Sequence, residues 1–278
     1  MLIHGVDFTS APGRRKGITV ASGTVARRTL KIERITALEG WPQFEAWLLL
    51  PGPWVGGFDF PFGLPREAVR DLGWPQAWPD MVRHCTGLGR VALRSALDAY
   101  REGREVGNKY PHRLGDRAAG SHSPVKLVNP PVALMFLEGA QRLLSAGVHM
   151  PSTFAGDRGR VALEAYPGFA VRQLSNGARP PSYKNDARVK QTAAQRNVRK
   201  QIVGRLVEEG LPGGVRLETT PGLLRTLVAD GTGDSLDAVL CALQAAQAWM
   251  SPEANFGLPA GLDPLEGWIA TVPGPASA

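Results

Sequence analysis

Apolar and polar positions first alternate and then cluster along this chain. Residues 2–8 form a short, mostly apolar run, and "APGRRKG" after it reads as a turn. Residues 16–25 carry the β-branched Ile18, Thr19 and Val20, which predicts a second strand. Across 29–38, Leu30 and Ile32 alternate with Lys31 and Glu33, the period of a half-exposed third strand. Short connections predict an antiparallel meander of these three. "WPQFEAWLLL" (41–50) predicts a helix with Pro in its first turn. "WVGGFDFPFGLP" (54–65) predicts a strand buried on both faces. A helix in this connection implies a right-handed crossover and a parallel fourth strand. If that strand lies beside the first, Asp7 and Asp59 sit at the same ends of adjacent strands, where α/β sheets place their sites.

Further on, 66–105 reads as helical with interruptions at Trp74-Pro75 and Thr86-Gly87, and 106–131 as a long polar loop. An apolar helix over 132–147 and a fifth strand over 159–169, ending at Glu164 or Tyr166, follow. Residues 186–209 predict a long helix, and "DSLDAVLCALQAAQAWM" (234–250) the clearest one, apolar nearly all round and so expected to be buried. "EGWIATVP" near the C-terminus is a candidate edge strand, and "TVPGPASA" a frayed tail. The expected organisation is one domain, 1–278, with a mostly helical insertion at about 66–150.

A chain of 278 residues with 43% hydrophobic and 21% charged residues is ordinary for a globular protein. Two cysteines far apart, Cys85 and Cys241, do not form a disulfide framework. No leader-like segment and no apolar run of membrane-spanning length is apparent, so a soluble, cytoplasmic protein with no membrane partner is expected. The net charge of +7 favours anionic partners, nucleic acid first among them. Within 182–205 the candidate phosphate contacts are Lys184, Arg188, Arg196 and Arg199, and Arg113 stands in the polar loop.

The candidate chemistry lies in five acids: Asp7, Asp59, Glu164, Asp234 and Asp237. Singly, each is equally a turn former or a helix cap, Asp234 above all. Together they are carboxylates at strand ends and at the head of a buried helix. Such a cluster repels itself unless cations neutralise it, and hard oxygen ligands suit Mg²⁺ or Mn²⁺. Ions of this kind can activate water against a phosphodiester.

"GVDF", "FDFPFGLP", "LEAYP" and "DSLDA" together resemble the domain-of-unknown-function family 429, described as predicted nucleases of the ribonuclease H fold. The D-x-x-D-A form is also similar to Holliday-junction resolvases of that superfamily. The resemblance implies a mixed five-stranded sheet of order 3-2-1-4-5 flanked by helices. It implies a metal-dependent nuclease with Asp7, Asp59, Asp234 and Asp237 as ligands, and it matches Glu164 without giving it a role. Two other readings stay open at this point: a catalytically idle module that binds nucleic acid or protein, and a phosphotransferase of the actin and sugar-kinase type. The second would need a glycine-rich phosphate loop after the first strand, which "DFTSAPG" does not supply.

Overall fold

In a computed structural model, which describes residues 1–175 and 180–274, a mixed α/β fold is built on one sheet. The strands are β1 (Leu2–Asp7), β2 (Ile18–Ala26), β3 (Thr29–Leu38), β4 (Trp54–Phe58), β5 (Val148–His149), β6 (Asp157–Glu164) and β7 (Arg216–Glu218). Their order is β5-β6-β4-β1-β2-β3-β7. β1 pairs antiparallel with β2 and parallel with β4, and β4 pairs parallel with β6. The crossover from β3 to β4 runs through α1 (Trp41–Leu48). The expected five-stranded sheet of order 3-2-1-4-5 is therefore corrected to seven strands. β5 adds two residues at one edge and β7 three at the other. Strands this short carry no readable period.

Side-chain alternation divides the core into two layers. Val6, Val20 and Phe58 face a cluster completed by α1 and by the helices of residues 66–146. These are α2 (Arg66–Asp71), α3 (Trp78–Glu102) and α5 (Val132–Ala146), while α4 (Leu114–Ala119) places Ala119 in a separate small cluster with Phe169, Trp268, Ile269 and Val272. Met81, Leu93, Leu97, Phe136 and Leu143 of that segment share a core with the sheet, so the segment expected as an insertion forms most of one face's cover. Ile3, Ala21, Val55 and Val161 face the other way. Their cover is α6 (Pro167–Leu174), α7 (Ala193–Glu208), α8 (Pro221–Ala229) and α9 (Asp234–Ala248).

Several expected boundaries move for local reasons. β4 stops at Phe58 because the Phe60 amide turns back to the Phe58 carbonyl (2.9 Å) and Pro61 lacks a donor. Thr86-Gly87 does not break α3, since the Thr86 hydroxyl donates to the Val82 carbonyl one turn back (2.8 Å). The kink falls instead at Gly89, whose φ of 67° only glycine adopts freely. The long helix expected from 186 begins at Ala193, because Thr192 and Gln195 form a capping box; Arg188–Lys190 is a separate 3-10 turn. "EGWIATVP" makes a single parallel bridge, Ile269 to Glu164, rather than a strand. The expected tail is ordered through Val272, which is 2% exposed, and its last four residues lie outside the described ones. No helix among the described residues is long and apolar enough to cross a membrane. Both cysteines are buried and free.

What positions the site is the seat of α9 on β1 and β4. Gly5 and Gly57 are paired in register and both face this helix. A Cβ on Gly5 would lie inside the backbone of Ala238 and Ala242, and one on Gly57 inside that of Cys241. Small residues on α9 (Ala238, Cys241, Ala242, Ala245) complete the close approach, and every residue from Leu236 to Ala246 is buried. Gly5→Ala or Gly57→Ala is expected to push the helix off the sheet, at about 3 kcal/mol or more. Gly87→Ala, where a Cβ meets nothing within 4 Å, should be neutral or stabilising by under about 1 kcal/mol. Thermal denaturation of the three variants checks this. Equal melting temperatures for all three would show that α9 is not seated on these glycines.

Candidate active site

Alternation along the strands carries the glycine faces forward to two acids. Positions 3, 5 and 7 of β1, and 55, 57 and 59 along β4 and just beyond it, point toward α9. Asp7 ends β1, and the Asp59 amide donates to the Val6 carbonyl (2.9 Å), which extends the parallel register by one residue. From Gly57 to Asp59 is two strand residues, about 6.6 Å. From Cys241 back to Asp237 is one helical turn of four residues, about 6 Å. These matched steps bring Asp237 to the level of Asp7 and Asp59. One carboxylate oxygen from each of the three lies within 4.8 Å of the others.

The acids are not caps or turn formers. The N-cap of α9 is Gly233, in a left-handed conformation, with no side-chain cap bond. Asp230 serves the helix end instead, accepting from the amides of Thr232 (3.1 Å), Gly233 (3.3 Å) and Ser235 (2.9 Å). No hydrogen bond to the carboxylates of Asp7 or Asp59 is seen among the described residues. Asp237, fully buried, accepts from the Tyr183 hydroxyl at 2.5 Å and from the Lys184 ammonium.

The electrostatics follow. Burial, then the charges of Asp237 and Asp234, pushes Asp7 well above the usual carboxylate range. Burial and then Asp237 push Asp59 up to about 7. Burial opposes the charge on Lys184, but Asp237 beside it, with Tyr183 and Asp7, more than reverses this and holds the ammonium protonated. Asp234 stands at the edge of the cluster, half-buried, 3.8 Å from the Lys16 ammonium, which also meets Asp186 at 3.0 Å. Burial raises Asp234 too.

Glu164 does not join the trio. It ends β6, next to β4, but accepts from the Phe62 amide (2.9 Å) and from both terminal nitrogens of Arg113 (2.8 and 2.6 Å). Arg113 is 2% exposed and spends its remaining donors on Asp116 and the Glu266 carbonyl. The expectation of Arg113 as a phosphate contact is thus replaced by a buried brace between the polar loop, β6 and the C-terminal stretch. Arg199 is likewise 3% exposed and donates to the carbonyls of Tyr183 (2.5 Å) and Val228 (3.0 Å), which makes it a brace within the fold. Arg188 and Arg196 are exposed, while Lys184 is spent on Asp237. Lys16 and Tyr183 are site residues that the sequence reading missed. Each neighbours a residue already singled out, yet neither type nor spacing marks it.

A cleft of about 740 Å³ opens over Asp7 and Asp59, bordered by Lys16, Lys184, Tyr166 and the polar loop around His122 and Pro130. A carboxyl whose pKa is raised on folding favours the folded state below its unfolded value near 4, and that advantage is lost as pH rises through the folded value. For Asp59 the loss spans roughly pH 4 to about 7. Asp59→Asn is therefore expected to raise the melting temperature of metal-free protein at pH 8 by roughly 5 °C and to leave it unchanged at pH 4. A melting temperature lowered by Asp59→Asn at pH 8 without metal would contradict this electrostatic picture.

No curated protein and no solved structure matches the chain. One family model, described as "Protein of unknown function (DUF429)", matches residues 5–256, from the second half of β1 to just beyond α9. The chain belongs to that family.

Proposed function

We propose that this protein is a divalent-cation-dependent nuclease, hydrolysing phosphodiesters of nucleic acid on a ribonuclease H-like sheet. The observation that carries the proposal is the convergence of Asp7, Asp59 and Asp237 within 4.8 Å. Three carboxylates brought this close, two of them pushed upward by burial and mutual repulsion, form a site that gains from a cation. The donor set is all oxygen and anionic, which fits Mg²⁺ or Mn²⁺ and not a soft metal. The antiparallel meander, the α1 crossover, the parallel β4 and the late helix bearing the third acid support the ribonuclease H-like reading.

Asp7, Asp59 and Asp237 would hold the cation, with Asp234 beside them on the first turn of α9. A divalent ion bound there would supply polarisation of a phosphoryl oxygen and a lowered pKa for water. The chain's own residues do the rest. Asp59, its pKa raised to about 7 in the metal-free protein, would give up its proton on binding the cation. Lys184 neutralises Asp237 without a metal, and once displaced from it offers an ammonium to a phosphate. Arg188 and Arg196, both exposed, can contact more distant phosphates.

Millimolar Mn²⁺ is expected to raise the melting temperature of the wild type, since a ligand of the native state alone must stabilise it. Asp7→Asn and Asp237→Asn should abolish that rise and cut Mn²⁺-dependent cleavage of an oligonucleotide by more than about 100-fold. An equal Mn²⁺ shift in both variants, or cleavage at the wild-type rate, would overturn the assignment.

A further inference from the structure

The cleft over the carboxylates is lined in a way that narrows the substrate of the proposed nuclease. Without a metal its cationic side chains are paired, and a bound cation would free only Lys184. Lys16 meets Asp186 at 3.0 Å, Lys184 meets Asp237, and Arg113 is enclosed by Asp116 and Glu164. Duplexes are gripped by rows of free Lys and Arg along their phosphates, and the described lining of this cleft offers no such row. What it offers is apolar and aromatic surface from Pro130, Pro131, Met135 and Tyr166. At about 740 Å³ the space falls in the size class that encloses small organic ligands. Asp7, 7% exposed, and Asp59 line the cleft, and Asp237 is fully buried behind them, so a scissile phosphate must descend between the walls.

We infer that the cleft takes unpaired nucleotides and rejects duplexes, with Tyr166 as a stacking platform for a base next to the scissile phosphate. The inference rests on the nuclease reading for the word "scissile", but the binding it describes does not require cleavage. Tyr166 is placed for this role. It directly precedes α6 and is half-buried, with its amide donating to Gln244 Oε1 (3.0 Å), which fixes it to α9. Tyr166 lines the same cleft as Asp7 and Asp59. Stacking on an aromatic face is open to every base of an unpaired strand and closed to bases inside a duplex.

The test is fluorescence anisotropy with one labelled oligonucleotide, single-stranded and annealed to its complement, as DNA and as RNA. Ca²⁺ serves as a hard, oxygen-seeking cation. The single strand is expected to bind at least about tenfold more tightly than the duplex. Tyr166→Ala should weaken single-strand binding by about tenfold, while Tyr166→Phe, which keeps the ring, should bind as the wild type does. Duplex bound as tightly as single strand by the wild type, or Tyr166→Ala indistinguishable from Tyr166→Phe, would overturn the inference, as would no binding of the single strand. The wild-type comparison needs no variant to fold. Preferential single-strand binding with no cleavage in Mg²⁺ would sink the nuclease reading and leave this inference standing. Duplex cut as readily as single strand would do the reverse.

Discussion

The contact of α9 with Gly5 and Gly57 is the constraint from which the rest of the site follows. Two adjacent glycines on parallel strands remove the side chains that would hold a helix at its ordinary distance from a sheet. Ala238, Cys241 and Ala242 then rest on strand backbone. Because the helix is close, the next step along each element must also be close. Two residues on, each strand presents an acid, and one turn back the helix presents a third. A larger residue at either glycine would separate Asp237 from its partners even if the protein still folded. Packing and chemistry are here one geometric requirement, stated by residues that carry no chemistry themselves.

That requirement has an electrostatic cost. Burial and like charges destabilise Asp7 and Asp59 in their ionised forms, and the described residues supply them no hydrogen bonds. Lys184 and Tyr183 relieve only Asp237. By contrast, Glu164, only one strand away, is hydrogen-bonded by Arg113 and the Phe62 amide, which offset part of its burial. The contrast separates two kinds of buried acid in one protein. One is closed by its partners and braces the polar loop against β6. The others, Asp7 and Asp59, have no such partners among the described residues and line a cleft.

Much of this was legible in the sequence where a period or a boundary carried it. Alternation in 29–38, the glycine-rich apolar run at 54–58 and the all-round apolar helix after Asp234 marked β3, β4 and α9 directly. Asp7, Asp59 and Asp237 stood out because each ends or begins such an element. Asp234, equally marked, lies at the edge of the trio, because three helical residues turn it away from Asp237 by about 60°. The edge strands β5 and β7 were not legible, since two or three residues hold no pattern. Nor could Arg113 and Arg199 be told from solvent-facing arginines. Their partners, Asp116 and Glu164 for one and the carbonyls of Tyr183 and Val228 for the other, are set mainly by tertiary packing. For Glu164 the strand-end position was visible and the arginine that pairs with it was not.

The central claim is that Asp7, Asp59 and Asp237 are ligands of one divalent cation. Crystals soaked in Mn²⁺ and measured at the manganese absorption edge test it most directly. The account predicts an anomalous peak between the three carboxylates, with the Lys184 ammonium displaced from Asp237. Crystals that bind Mn²⁺ elsewhere or nowhere, with Lys184 still seated on Asp237, would contradict it.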